Sequence, residues 1–416
     1  MTKAFSHLRS AGALAPCLLA TLAQGAHAEG FVDDASVTLG LRNLYFNRDF
    51  RQPGAAQSRQ EEWAQGFLLQ ASSGYTPGVL GVGIDLIGQL GVKLDSSPAR
   101  SGSGLLPRHS DGRAADEFSR LGVAPRLKLS KTELKFGELM PELPILLRND
   151  GRLLPQTFQG GMLSSREIDG LHLQAGQMRS LSQRNSTNHE DLSVDGRGGV
   201  FADRFDYFGG EYRFNADRTQ VGLWQARLED IYQQRYYSVS HKQKVGEWTL
   251  SANAGWFTTR EDGSEALGAL DNRALTGFLS ARRGGHTVGA GYQRMYGDDG
   301  MIYIAGTSTP LVNDIQVRNF TTAGERSWQA RYDYDFVALG IPGLALMARY
   351  VSGDHAQVAG GSSGQAWERD LDITYVIQDG LLKNLGVRWR NATVRSNHVA
   401  DVDENRLILS YTLKLL

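Results

Sequence analysis

The sequence predicts an all-β fold: a transmembrane antiparallel β-barrel, with about 16 to 18 strands by the count of alternating segments, and with constriction loops folded into its interior. Three observations lead to this prediction. Segments of about 10 residues alternate apolar and polar side chains, turns rich in Gly, Asp, Asn and Ser separate those segments, and no stretch after residue 28 has the length and apolar character of a membrane-spanning helix. We divide the chain into a cleaved leader, 1–28, and a barrel, 29–416, in which 138–161 is the constriction-loop segment.

The leader has the features of a Sec-type signal peptide. Lys3 and Arg9 supply positive charge, Ala11–Leu22 is an apolar run too short to span a bilayer as a helix, and Ala26–Ala28 is a small-x-small cleavage signal. Cys17 raises the alternative of a lipoprotein, but a proline precedes it where that signal needs a small residue. We therefore expect export through the periplasm to the outer membrane of a Gram-negative bacterium.

Charge and cysteine content exclude several classes of function. The chain has 44 basic and 45 acidic residues, a balance that does not indicate nucleic-acid binding. The single cysteine lies in the leader, so the exported chain has neither a disulfide nor a cysteine-based metal site. The acidic run Asp401–Asn405 is more typical of a solvated loop than of a calcium site. We expect no metal and no organic cofactor.

The alternation is clearest in four segments: Val79–Asp95, Trp248–Trp256, Ser327–Phe336 and Arg369–Gln378. In each, most side chains on one face are apolar and most on the other are polar or small. The two tryptophans that bound the second segment lie about 26 Å apart along a strand, or about 20 Å in height at a usual tilt, close to an outer-membrane apolar band with its two aromatic girdles. A soluble β-sandwich or propeller, which also alternates, stays open as an alternative.

Near the C-terminus, the stretch KNLGVRWRNATV places two arginines on one face of a predicted strand and Val387 and Trp389 on the other. A charge that faces lipid at the membrane midplane costs about 2–4 kcal/mol, so the arginines are expected in the lumen. By the same parity the lumenal arginines are Arg42, Arg331, Arg349, Arg388, Arg390 and Arg406. Parity also places a row of acidic residues in the lumen, which we expect to oppose the arginines across the pore: Asp85, Asp333, Asp335, Asp370 and Asp372.

Two interpretations of these charges remain open. Arginine offers planar, bidentate donors that stay charged, so a row of guanidiniums could pass a carboxylate along the pore. Alternatively, the lumenal Arg and Asp side chains pair only to stiffen the barrel.

The segment 138–161 breaks the alternation and holds three of the 11 prolines, Pro141, Pro144 and Pro155. A stiff, partly apolar segment fits a loop folded into the lumen better than an exposed one, although an ordinary surface loop stays open. The polar residues that would then stand at the constriction are Arg148, Asn149, Asp150 and Arg152. Arg100–Asp116 and Gly297–Ala323 are two further long loops.

Several long motifs resemble the OprD-type substrate-specific porins. They are FVDDASVTLGLRNLYFNRDFR, EWAQGF, SGYTPGVLGVGIDLIGQLGVKLD, KTELKFGELMPELPILLRNDGRLLPQTFQGG, VRWRNA and DENRLILSYTLKLL, and together they cover nearly the whole exported chain. The resemblance implies an 18-stranded barrel narrowed by inward loops, and a basic ladder that leads small carboxylate-bearing solutes, such as amino acids, aromatic acids or some antibiotics, to an eyelet. By motif, that ladder maps onto Arg42, Arg48, Arg152, Arg388 and Arg390.

The chain departs from barrels of this kind at its end, because Leu415 and Leu416 stand where an aromatic residue is common. This departure bears on the assembly signal and leaves the barrel prediction intact. The expected partners are outer-membrane lipid and lipopolysaccharide, together with small carboxylate solutes. The resemblance implies a monomer or a weak trimer.

Two other classes of function remain as alternatives. An outer-membrane hydrolase would need a nucleophile and a base, but the sequence has no GxSxG and no HExxH motif, and its nine histidines are scattered. A structural or adhesive barrel would have a plugged lumen.

Overall fold

A computed structural model of the chain describes residues 30–358, 360–361 and 363–416. The predicted leader, with Cys17, lies outside the described residues. The strands are β1 (Ser36–Phe50), β2 (Arg59–Ser72), β3 (Leu80–Asp95), β4 (Glu117–Leu129), β5 (Thr132–Leu139), β6 (Glu142–Leu143), β7 (Leu146–Leu147), β8 (Thr157–Ser165), β9 (Leu171–Ser182), β10 (Leu192–Val194), β11 (Arg197–Ala202), β12 (Phe205–Phe214), β13 (Thr219–Leu228), β14 (Tyr232–Val245), β15 (Trp248–Glu261), β16 (Asp271–Arg283), β17 (His286–Tyr296), β18 (Arg326–Asp335), β19 (Leu344–Gln357), β20 (Ser363–Val376), β21 (Gly386–Ser396) and β22 (Val402–Lys414).

Eighteen of these strands form one closed antiparallel barrel, which confirms the predicted fold and lies at the upper end of the 16 to 18 strands counted from the alternation. Each barrel strand pairs with its neighbours along the chain, and β1 pairs with both β2 and β22, which closes the sheet. The four short strands β6, β7, β10 and β11 form two small hairpins outside this sheet. A single-turn 3-10 helix, Phe336–Leu339, follows β18. In the part of the chain that the structure describes, no helix is long and apolar enough to cross a membrane.

The two ends of the barrel differ in their connections. At one end the strands are joined by short turns, such as residues 130–131 and 246–247, and the first and last strands meet there, with the Val37 N–H donating to the carbonyl oxygen of Leu416 at 3.1 Å. At the other end lie the long connections 96–116, 140–156, 183–204 and 297–325. Barrels of the bacterial outer membrane have short periplasmic turns and long extracellular loops, so we assign the long-loop end to the cell exterior.

The outer surface is apolar, in agreement with the alternation of the sequence. Trp248, Trp328 and Trp389 are 41%, 49% and 37% exposed, as expected for side chains that face lipid. Their chain neighbours on β18 and β21 include Gln329, which is buried, and Arg388, which bonds Asp372. One face of these strands is therefore apolar, as expected for contact with lipid, and the other is polar and faces the lumen.

On part of the inner wall, the side chains that face the lumen are apolar and not polar as the alternation predicted. Leu44 and Phe46 on β1 share a face with Arg42 and are buried, and Trp224 and Phe257 are buried on the inner faces of β13 and β15. Apolar loop residues cover them, Leu105, Leu153 and Leu154 on one side and Ile302, Ile304 and Leu311 on the other. The inward loops carry apolar side chains into the lumen. Apolar residues on the inner wall pack against these side chains and bury them away from water.

Hydrogen bonds between loops hold this inner assembly together. Val194 forms a β-bridge with Ile304, and Leu147 forms one with Ser308. The loops 183–204, 140–156 and 297–325 are therefore linked through the lumen. The predicted segment 138–161 is shorter as a loop, because β5 continues to Leu139 and β8 starts at Thr157.

Buried carboxylates on the barrel wall anchor two of the loops. Glu62 of β2 accepts the N–H of Ser103 at 2.8 Å, and Glu368 of β20 accepts the N–H groups of Val317 and Arg318 at 2.9 and 2.8 Å. Both glutamates are almost fully buried. Because loop backbone groups in the lumen need partners, these carboxylates fix where the loops lie.

Replacing Glu368→Ala leaves two buried backbone N–H groups without an acceptor, at a cost of about 1–3 kcal/mol each. We expect amide hydrogen exchange at Val317 and Arg318 to accelerate at least about tenfold. Glu62→Ala is the matched control, since it should accelerate exchange at Ser103 and leave Val317 unchanged. Unaltered exchange at Val317 and Arg318 in the Glu368 variant would contradict the anchoring role.

Candidate functional site

The register of β18–β22 and β1 arranges charged residues in two rows across one wall of the lumen. Residues directly opposite each other in antiparallel strands share a face. The first row is Arg331, Arg349, Asp370, Ala392, Glu404 and Arg48, and the second is Asp333, Met347, Asp372, Arg390, Arg406 and Phe46. Basic and acidic side chains are therefore interspersed on the same wall.

This arrangement corrects the prediction of an acidic row opposite the arginines. Asp333 binds Arg331 at 2.7 Å, and Asp372 accepts from Arg388 Nε at 2.9 Å. Asp370 is fully buried against Arg349. The alternation along each strand placed these three aspartates on the correct, lumenal face. It does not show which strands lie next to each other, so it could not predict that the aspartates pair with arginines on the same wall.

The other two predicted acidic residues lie away from these rows. Asp85 on β3 binds Arg126 at 3.0 Å and Lys135 at 3.1 Å, in a separate cluster on another wall. Asp335 stands at the short-turn end, where its carboxylate accepts the N–H of Val337 and caps the 3-10 helix.

Glu404 is the buried partner of two predicted ladder residues. Its carboxylate lies 2.6 Å from Arg48 and 2.6 Å from Arg406, and it accepts a hydrogen bond from Gln316 of loop 297–325 at 3.1 Å. Arg406 also donates to the carbonyl oxygen of Gln316 at 2.9 Å. These bonds tie the loop to the wall and orient both guanidiniums.

The ring of Phe46 is a second organising element. The guanidinium carbons of Arg48, Arg152 and Arg406 lie 5.4, 4.9 and 5.4 Å from its centroid. Each such cation–π contact contributes about 0.5–2 kcal/mol, yet the ring neutralises no charge. Phe46 thus holds three guanidiniums close together, and they keep their attraction for an anion.

These side chains line a cavity of about 320 Å³ beneath the long loops. It is bordered by six arginines and only two aspartates, Arg48, Arg152, Arg184, Arg318, Arg390 and Arg406 against Asp195 and Asp314. Four of the eight predicted ladder arginines therefore meet at one place, and Asn149 borders the same cavity. We call this space the loop cavity.

Two cations of the loop cavity lack an acidic partner. Among the residues that the structure describes, no carboxylate lies within 4.0 Å of Arg152 or Arg184. Burial, together with the positive charge of Arg406, lowers the pKa of Arg184 to about 10 and lowers the pKa of Arg152 as well. Burial is the larger cause of both pKa shifts, and the neighbouring guanidiniums add to it.

The acidic side of the loop cavity comes from two loops. Tyr303 donates to Asp195 at 3.0 Å and accepts from Asn319 at 3.0 Å, while Asp195 also accepts the N–H of Gly306 at 3.0 Å. Burial raises the pKa of Asp314. A small anion with a polar far end would meet guanidiniums on one side and hydroxyl and carboxyl groups on the other.

A second cavity of about 670 Å³ continues toward the short-turn end. Its borders include Arg331, Arg349, Arg388 and Arg390, with Asp333 and Asp372 between them. Arg390 borders both cavities. A line of guanidiniums therefore runs from the loop cavity toward the periplasmic end of the barrel.

The other predicted residues, Arg42, Arg148 and Asp150, form local ion pairs. Arg42 faces the lumen but binds Asp150 at 2.7 Å and the carbonyl oxygen of Arg152 at 2.7 Å, which holds the constriction loop against β1. Arg148 pairs with Glu142. None of Arg42, Arg148 and Asp150 borders either of the two cavities.

Sequence reasoning missed the loop-borne half of the site. Arg184, Asp195, Tyr303, Asp314 and Arg318 belong to loops 183–204 and 297–325, where no alternation assigns a direction to a side chain. The one available signal was the length of Gly297–Ala323. It identified a long loop but did not show where that loop lies in the barrel.

A closed antiparallel barrel with an apolar exterior and a polar lumen narrowed by inward loops defines an outer-membrane channel of the porin class. The chain belongs to the OprD family of outer membrane porins, whose family model matches residues 29–415. Members of this family are outer-membrane β-barrel proteins of Gram-negative bacteria. The predicted family resemblance is confirmed.

Three solved structures from Pseudomonas aeruginosa are similar to this chain. OccK9 (OpdG) shares 78% sequence identity with a TM-score of 0.92, covering 93% of this chain and 100% of its own. OpdK, solved with vanillate, shares 50% identity with a TM-score of 0.89, covering 92% and 100%. OccK2 (OpdF), solved in complex with glucuronate, shares 47% identity with a TM-score of 0.86, covering 93% and 100%.

Replacing Glu404→Gln should leave the partly buried Arg48 and the buried Arg406 without their carboxylate, because this residue is their shared acidic partner. We expect a loss of about 3–5 kcal/mol in the free energy of unfolding, measured by denaturant titration of the refolded barrel. Asp111→Asn, which breaks an exposed pair with Arg113, is the control and should cost at most about 1 kcal/mol. Equal losses in the two variants would count against the role of Glu404.

Proposed function

We propose that this chain is a substrate-specific porin for the passive uptake of small carboxylate-bearing solutes. The observation that supports this most directly is the charge of the loop cavity, where two of the six arginines, Arg152 and Arg184, have no carboxylate within 4.0 Å among the described residues. This uncompensated positive charge attracts anions. The solute's carboxylate binds in the loop cavity and then moves along the guanidiniums toward the periplasm.

Arg152 and Arg184 are the first contacts for the carboxylate. They carry the uncompensated charge, and a guanidinium can donate two parallel hydrogen bonds to one carboxylate. Arg390 receives the anion next, because it borders both cavities. Arg331, Arg349 and Arg388 already have aspartate partners, so they bind the anion more weakly and allow its release.

The ligands of two relatives support the same chemical class. Vanillate and glucuronate, bound to OpdK and OccK2, differ in their carbon skeletons but share a carboxylate and hydroxyl groups. In this chain, Asp195, Tyr303 and Asn319 offer partners for a hydroxyl on the far side of the loop cavity. We therefore favour hydroxylated aromatic or cyclic carboxylates over unsubstituted ones.

In this proposal, transport is passive and involves no catalysis. The chain reaches the outer membrane by Sec export of a precursor whose leader is cleaved.

Among the described residues, one Ser–His–Glu arrangement resembles hydrolase machinery. Ser182 contacts His189 Nδ1 at 3.1 Å, and His189 Nε2 lies 3.9 Å from Glu138. Ser182 is fully buried, however, so a substrate carbonyl has no approach to its hydroxyl.

We expect the double variant Arg152→Gln with Arg184→Gln to weaken transient current block by vanillate about 10- to 150-fold, which is about 1.5–3 kcal/mol of lost charge-assisted hydrogen bonding. The measurement is single-channel recording in planar bilayers over a range of solute concentrations. The neutral amide of vanillic acid should block weakly in both proteins.

Arg331→Gln is the matched control, because that arginine already has an aspartate partner and should change block less than about threefold. Unchanged block in the Arg152 and Arg184 double variant would contradict the assignment of the carboxylate site. A refolded protein without any stepwise current would instead favour a plugged barrel.

A separate assay addresses the hydrolase alternative. We expect pure refolded protein to hydrolyse neither p-nitrophenyl acetate nor a model peptide above the rate in buffer, since the Ser182 hydroxyl is buried. Turnover that Ser182→Ala abolishes, while the channel current persists, would overturn this part of the proposal.

A further inference from the structure

The outer face of β13–β18 carries an arginine on each strand near its long-loop end. These residues are Arg227, Arg235, Arg260, Arg273, Arg294 and Arg326, and we call them the outer arginine belt. Their chain neighbours are buried on the inner face, for example Gln234 and Tyr236 beside Arg235. The belt therefore faces away from the lumen and has no part in the transport path.

The strand register brings the belt residues close to one another. Arg235 and Arg273 both lie opposite Thr258, one on each side of it, and Arg294 lies directly opposite Arg326. Like charges opposite each other on paired strands are destabilising. An anionic partner on the outer surface would remove this repulsion.

Half of the belt is not compensated within the chain. Arg227, Arg273 and Arg326 pair with Asp262, Asp271 and Asp354 at 2.6, 3.2 and 2.6 Å. For Arg235, Arg260 and Arg294, no carboxylate lies within 4.0 Å in the described ranges 30–358, 360–361 and 363–416. An excess of about three positive charges is therefore open to the surroundings.

The rim on the opposite side of the barrel differs. There, Arg51 and Arg395 both bind Asp403, at 2.6 and 2.9 Å, and Arg59 binds Glu61 at 3.1 Å. These arginines are satisfied inside the chain. Outward arginines without a carboxylate within 4.0 Å in the described residues also occur singly elsewhere, at Arg179 of β9 and Arg369 of β20, whereas the belt has three of them on β14, β15 and β17.

Aromatic side chains mark the height of the belt relative to the membrane. Trp256 and Tyr296 have ring centroids 5.7 Å apart, and the guanidinium of Arg294 lies 4.6 Å from the Tyr296 ring centroid. Outward aromatic residues of such barrels lie at the membrane interface. The belt is therefore at the level of lipid headgroups, on the side we assign to the cell exterior.

We propose that the outer arginine belt binds the phosphate groups of the glycolipid in the outer leaflet, lipopolysaccharide. Guanidiniums bind phosphate oxygens through paired, charge-assisted hydrogen bonds. Several arginines on neighbouring strands suit a headgroup that carries more than one phosphate. The belt holds the barrel in the outer leaflet on one side, and this role is independent of the solute that passes through the lumen.

The test uses full-length refolded protein in detergent and purified lipopolysaccharide, with binding measured by native mass spectrometry. We expect Arg235→Gln, Arg260→Gln and Arg294→Gln together to weaken binding about tenfold, which corresponds to about 1.4 kcal/mol. We also expect enzymatically dephosphorylated lipopolysaccharide to bind the unaltered protein about tenfold more weakly than the phosphorylated form. Single-channel conductance should stay the same in the triple variant, which shows that the barrel is folded.

The matched control removes the same charge at the other end of the barrel, through Arg213→Gln, Arg218→Gln and Arg283→Gln. These arginines are exposed near the short turns, so we expect unchanged binding. Binding by the belt variant that equals that of the unaltered protein would overturn the proposal. So would equal binding of the dephosphorylated glycolipid, or an equal loss in the control variant.

Discussion

The pairing of β1 with β22 is the contact on which the rest of the molecule depends. Lipid offers no hydrogen bonds to a backbone, so a sheet can cross a membrane only when no edge is left open. Thirteen residue pairs, from Thr38–Lys414 to Phe50–Val402, close this barrel. Closure creates a lumen shielded from lipid, and only there can the chain keep buried guanidiniums at moderate cost.

The lumen in turn has to hold the long loops, and this requirement shapes the inner wall. A loop with an unsatisfied backbone would not stay inside, so Glu62 and Glu368 supply acceptors, and inner apolar residues such as Trp224 and Phe257 supply packing surface. The largest apolar loop core packs against β8–β17, whereas the second cavity lies against β16–β21. The position of the cavity thus follows in part from where the inner wall is apolar.

The number of 18 strands was implied by the family resemblance, whereas the alternation was sufficient to predict the barrel and the lumenal face of every predicted strand arginine that borders the two cavities. These features repeat along each strand, and a repeat of two residues is readable in one dimension. Three-dimensional neighbours are not readable in this way. Asp372 was assigned to the correct face, yet its contacts with Arg388 and Arg390 depend on the register between β20 and β21. Arg184 and Tyr303 could not be placed at all, because they lie in loops whose direction is set by contacts with other loops.

The strand-borne and loop-borne arginines differ in a way that suits a channel. On the strands, Arg331, Arg349 and Arg388 share the wall with aspartates, so their net attraction for an anion is small. On the loops, Arg152 and Arg184 have no such partners, and Phe46 and Glu404 hold the neighbouring cations close to them. In the function we propose, binding energy is thereby concentrated at the narrow, loop-lined part of the lumen, where selection among solutes would have the most effect. Beyond that point, weak and closely spaced sites favour movement over retention, since an anion that bound every guanidinium equally tightly would not leave.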